Sequence, residues 1–139
     1  MLKDTTVTGG RGQHHPDGGH RKPFFAAYTD HMLNFYVSTF ADSEKLPSVD
    51  DVIFKNDVDA LNWLMCDRIF RKQSRTARAC CYALHNTPPD DRRTAAEKLA
   101  ETYQMPAWMI WKMDHRIQFD IAVERGLISR EDDRYAGKE

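Results

Sequence analysis

Long apolar runs are missing from this chain. No stretch of its 139 residues approaches the roughly 18 to 20 apolar residues of a membrane span. The N-terminus also lacks the unbroken apolar segment of a secretory signal. A membrane partner is therefore not expected, and a cytoplasmic setting is. Charge of one sign is equally scarce: 20 Lys and Arg stand against 21 Asp and Glu, a net of −1. A polycation that coats nucleic acid is excluded, so any nucleic-acid contact must come from a local patch.

Cysteine is sparse and badly spaced for chemistry. Cys66, Cys80 and Cys81 are an odd number, two of them adjacent, with no C-x-x-C pair. Neither a disulfide framework nor a structural zinc site is expected, and the three read as small buried residues. Glycine is confined: five of seven lie in residues 1 to 22, so no glycine-rich phosphate loop opens a helix. His31, His85 and His115 have no serine or cysteine nucleophile pattern around them. Asp42, Asp50, Asp51, Asp57 and Asp59 fall at loops and caps, where such residues are ordinary. No enzyme activity and no cofactor are expected.

What is present is helical periodicity. Residues 1 to 22 have almost no large apolar side chain and read as a disordered arm, in which His14, His15 and His20 make no fixed metal site. From Pro23 a helix over 24 to 41 carries Phe25, Tyr28, Met32 and Tyr36 on one face, widened by Leu33, Val37 and Phe40. So wide an arc implies cover on two sides, by the rest of the domain or by a second chain in a homodimer. A second helix, 57 to 73, is capped by Asn56 or Asp57 and carries Val58, Leu61, Met65 and Ile69 beside Trp63, Cys66 and Phe70.

Ser74 caps a third helix, 75 to 86, with Ala77, Cys80, Cys81 and Leu84 at core spacing. Its other face carries Arg75, Arg78, Tyr82 and His85; Arg75 and Arg78 are candidate phosphate contacts, against the plainer reading of a solvated face. Thr94 and Glu97 have the spacing of a capping box for a fourth helix, 95 to 104. Pro106 suits the start of a fifth, 107 to 125, which Gly126 ends. The expected fold is all-α: one domain over residues 23 to 128 with about five helices, then a flexible tail over 129 to 139.

The last two helices carry the most information. A short helix, a turn of about three residues and a longer helix outline a helix-turn-helix at about 94 to 125. Leu99 and Ala100 supply an apolar and then a small residue at the crossing. Ile110 and Met113 follow ten and thirteen residues after Ala100 as anchors, and Gln104 stands where glycine is usual.

"TAAEKLAETYQMPAWMIWKMDHRI", preceded by the helix starting "SRTARACCYAL", resembles region four of the bacterial sigma-factor family and its small phage-borne relatives. The likeness covers about residues 57 to 126. It implies a DNA-binding, helix-turn-helix transcription regulator of bacterial or prophage origin, with double-stranded DNA as partner and RNA polymerase as a further one.

On the fifth helix Ile110, Met113, Ile117 and Ile121 face the core. Trp108, Trp111, Lys112 and His115 project the other way, continued by Phe119 and Ala122. In the DNA reading, Pro106, Ala107, Trp108, Trp111, Lys112 and His115 line the groove-facing surface. Arg92, Arg93, Thr94, Lys98 and Arg116 flank it as phosphate contacts. Two other readings stay open. Residues 57 to 126 hold eleven Lys and Arg against ten Asp and Glu, and paired tryptophans are typical of protein contact. Alternatively the indoles pack beneath helix 24 to 41.

Overall fold

The computed structural model describes residues 25–132, so the expected arm and the chain beyond residue 132 lie outside the described residues. Five helices follow in order: α1 (Ala26–Ser38), α2 (Asp57–Arg71), α3 (Arg75–His85), α4 (Arg92–Tyr103) and α5 (Ala107–Arg125). Three single 3-10 turns, Val49–Asp51, Pro89–Asp91 and Arg130–Asp132, lie among them, and no strand occurs among the described residues. The fold is all-α, and no helix is long and apolar enough to cross a membrane.

Local chemistry accounts for the helix ends. The Asn56 side chain accepts from the Asp59 N–H at 2.8 Å, and Ser74 accepts from the Ala77 N–H at 3.1 Å. Each satisfies an amide that would otherwise lack an intrahelical acceptor. Asp57 and Asp59 open α2 and Arg68 and Arg71 close it, in the order the helix dipole favours. The helix α4 departs from expectation. It begins at Arg92, directly out of the Pro89–Asp91 turn, so Thr94 lies inside the helix and the Thr94–Glu97 capping box does not form its start. Pro89, at the first position of that turn, already sets the backbone on a helical course.

The core joins α1, α2, α3 and α5. Met32, Leu33, Tyr36 and Val37 are buried with Trp63, Cys66, Phe70, Cys81, Ile117 and Ile121. The Tyr36 ring stands edge-on to Trp63 and Phe70, with centroids 5.2 and 5.4 Å away, and its hydroxyl donates to Asp67 at 2.6 Å. Each fully buried aliphatic or aromatic side chain here contributes about 1.5–3 kcal/mol. Most of the wide apolar arc of α1 is thus covered within the chain, while Tyr28 stays 37% exposed. A smaller cluster of Cys80, Leu84, Ala96 and Ile110 ties α3 to α4 and α5. A third, of Phe25, Phe119 and Ala122, closes the far end of α5. Arg130 lies over the Phe119 ring at 5.6 Å and pairs with Asp120 at 3.2 Å, which brings the start of the expected tail onto α5.

Candidate functional site

The turn between α4 and α5 spans residues 104–106. Gln104 has φ 56° and ψ 52°, the left-handed region, and is the one positive-φ residue besides glycine among those described. The Gln104 N–H donates to the Glu101 carbonyl at 3.3 Å and the Met105 N–H to the Ala100 carbonyl at 3.0 Å. That pair of bonds is a Schellman ending, here built on glutamine instead of glycine. Pro106 then takes an extended ψ of 150° and α5 starts. Ala96 is the small residue fully buried against Ile110, while Leu99 and Ala100 pack at the edge of the same cluster.

This turn leaves one face of the first two turns of α5 uncovered. Trp108 is 58% exposed and Trp111 38% exposed, so neither indole packs under α1. Lys112 is exposed and its ammonium stands 5.9 Å from the Trp108 ring centroid. Pro106, Arg93, Thr94 and Lys98 are also exposed, and Ala107 is half-buried.

Other residues expected on this surface lie elsewhere. His115 is beside Phe25, ring centroids 6.2 Å apart, and Phe119 and Ala122 are buried under the same residue. The face therefore ends after Lys112, because the start of α1 covers its continuation. Arg116 sits over the Phe119 ring at 5.2 Å and 3.6 Å from Asp120. On α3, Arg75 pairs with Glu44 at 2.6 Å and Arg78 donates to the Gln73 carbonyl at 2.7 Å.

Arg92 is drawn furthest from the surface, into a buried ionic network that sequence reasoning did not find. Its guanidinium donates to Asp30 at 2.6 Å, to the Asn34 side-chain oxygen at 3.1 Å and to the Thr87 carbonyl at 3.1 Å. His85 lies beside it, with a side chain 1% exposed. Its Nδ1 is 3.0 Å from Asp30 and 2.8 Å from the Asn34 oxygen, and its Nε2 is 2.8 Å from Asp114. Gln118 donates to the second Asp114 oxygen at 2.8 Å, and Thr29 donates to Gln118 at 2.7 Å.

The electrostatics follow from that geometry. Burial acts to lower the His85 pKa, but the Asp114 and Asp30 carboxylates outweigh it and hold the imidazole up at about 9. Burial acts to raise Asp30, yet His85 and Arg92 bring it down to about 2. Burial likewise opposes ionisation of Asp114, and His85 and Gln118 hold it below the usual carboxylate range. Two cations and two carboxylates thus close on one another across α1, α3, α4 and α5.

One grouping among the described residues has metal-ligand chemistry: Cys81, His85 and Asp114, with donor atoms within 4.8 Å of one another. Its geometry is that of a hydrogen-bonded ion pair. His85 Nε2 and Asp114 Oδ1 are in direct contact, burial pushes the Cys81 thiol well up, and three donors fall short of a closed four-coordinate site. The chain matches no protein-family model, no curated protein and no solved structure.

Proposed function

We propose that the chain is a sequence-specific DNA-binding transcriptional regulator of sigma-region-four type. The N-terminal half of α5 enters the major groove. The observation that carries this is the left-handed Gln104 turn, which crosses α5 over α4 and leaves Trp108, Trp111 and Lys112 projecting from its first two turns. Lys112 donates to base edges or phosphates, and Ala107 and the indoles meet thymine methyl groups. Arg93, Thr94 and Lys98 hold phosphates and fix register. The bacterial or prophage setting, and RNA polymerase as a second partner, rest on the family resemblance. A mobility-shift assay over a promoter library at graded salt tests the reading. Retarded complexes that weaken as salt rises are expected, and no complex at low salt defeats it.

A second reading is favoured by one observation. Two large indoles stand exposed on a surface of nearly balanced charge, a composition suited to a protein hot spot. In that case α5 binds RNA polymerase or another regulator without reading DNA. Trp111→Ala then abolishes a protein complex, while DNA affinity is low in the parent chain as well.

A further inference from the structure

Besides the indoles of α5, an apolar helix face is left bare on α2. Trp63, Cys66, Ile69 and Phe70 are buried on one side of that helix. On the opposite side Val58, Leu61 and Leu64 are 52%, 41% and 43% exposed. Asp57, Leu61, Leu64 and Arg68 follow a spacing of four, three and four, which lines them up as one seam. Val58 and Met65 flank it.

The seam is self-complementary. Asp57 stands at one end and Arg68 at the other, with two leucines between them. A two-fold axis midway between positions 62 and 63 sets Leu61 of one copy on Leu64 of the other. The same axis sets Asp57 of one copy on Arg68 of the other, twice. Antiparallel pairing also opposes the two helix dipoles. Arg68 bonds Glu124 at 2.6 Å, yet its side chain is 59% exposed and open to a second carboxylate. An isologous contact needs such matching of a patch to itself.

We propose that the protein forms a symmetric dimer through antiparallel packing of α2 on α2 of a second copy. The seam runs about three turns, so the interface is small and the association weak. It is independent of the DNA reading: a dimer without DNA binding removes only the proposed function, and DNA binding by a monomer removes only this proposal.

Sedimentation equilibrium of the full chain from about 1 μM to 1 mM tests it. A monomer–dimer equilibrium is expected. Asp57→Arg sets like charges opposite each other and weakens the dimer about tenfold or more. Asp57→Arg combined with Arg68→Asp restores it. Within one chain these residues lie about 16 Å apart along the helix, too far to pair with each other. The exchange also breaks Arg68–Glu124 and reverses end charges that the α2 dipole favours, so restoration is read on a double variant whose melt shows it folded. Leu61→Lys, at an exposed position, is the second variant and gives a monomer; circular dichroism confirms retained helix in each. A monomer at every concentration overturns the proposal. So does a dimer that Leu61→Lys leaves intact, or one that the double exchange fails to restore.

Discussion

His85 Nε2 lies 2.8 Å from Asp114 Oδ1 at the buried seam between α3 and α5, with the Asp30 carboxylate 3.0 Å from the opposite ring nitrogen. The imidazole is clamped between two carboxylates on separate helices, so its charge is part of the fold. A proton gained or lost there changes how four helices are held together.

Stability is expected to depend on pH through this cluster. The His85 pKa is raised from 6.5 to about 9 in the folded chain. Its contribution is complete below about 6.5 and is lost as pH rises through 9. The shift corresponds to about 3 kcal/mol. The Asp30 pKa is lowered from 3.8 to about 2. Its contribution is present above about 4 and is lost as pH falls through 2. Thermal melts from pH 3 to 10 should therefore show a plateau near pH 4 to 6.5, with Tm falling on both sides. A Tm that keeps rising between pH 7 and 9 contradicts the charged imidazole.

Removing one partner is expected to be severe. His85→Leu leaves the buried Asp114 without its cation, while Asp30 keeps Arg92, and costs about 3–5 kcal/mol. Asp114→Asn keeps the shape but removes the larger of the two carboxylate contributions that hold the His85 pKa up. In that variant the imidazole titrates lower and the alkaline fall in Tm begins at lower pH. Urea denaturation of the two variants, read against the parent at pH 6, checks the first. The pH profile of the Asn variant checks the second.

Gln104 offers a stabilising change. Its left-handed backbone costs a side chain about 1 kcal/mol that glycine does not incur. Gln104→Gly is expected to raise Tm by a few degrees and leave the α4–α5 geometry unchanged. A lower Tm means that the side chain supports the turn in some other way.

How much of this was legible in the sequence depends on what each residue must do. The five helices were, because apolar spacing and caps such as Asn56 and Ser74 are local signals. The start of α4 was not: Thr94 and Glu97 have capping spacing, but the preceding prolines set the helical course earlier. The uncovered indoles were half legible. Helix periodicity separates Trp108 and Trp111 from Ile110 and Ile117, but does not tell that Phe25 covers His115, Phe119 and Ala122 and stops short of Trp111. The buried network was the largest omission. Asp114 falls within the frame Ile110, Asp114, Ile117 and Ile121, spaced four, three and four, so a carboxylate sits in the middle of a core stripe. That anomaly demands a buried cation. Choosing His85 as its partner requires the tertiary arrangement, since it comes from another helix.

Trp108 separates binding from folding. Trp108→Ala removes an exposed side chain and should change stability by less than about 0.5 kcal/mol. Affinity for the partner of α5, whether DNA or protein, should fall at least about tenfold. Parallel melting and binding curves check this, and a large drop in Tm means that the indole is structural.

The most direct test of the DNA reading is the salt dependence of binding to the best site from a promoter library. With Arg93, Lys98 and Lys112 on phosphates, log K should fall against log salt with a slope of about −3 per chain. Lys112→Ala should make that slope shallower by about one unit. A flat salt dependence, or a slope that Lys112→Ala leaves unchanged, contradicts a DNA-reading α5.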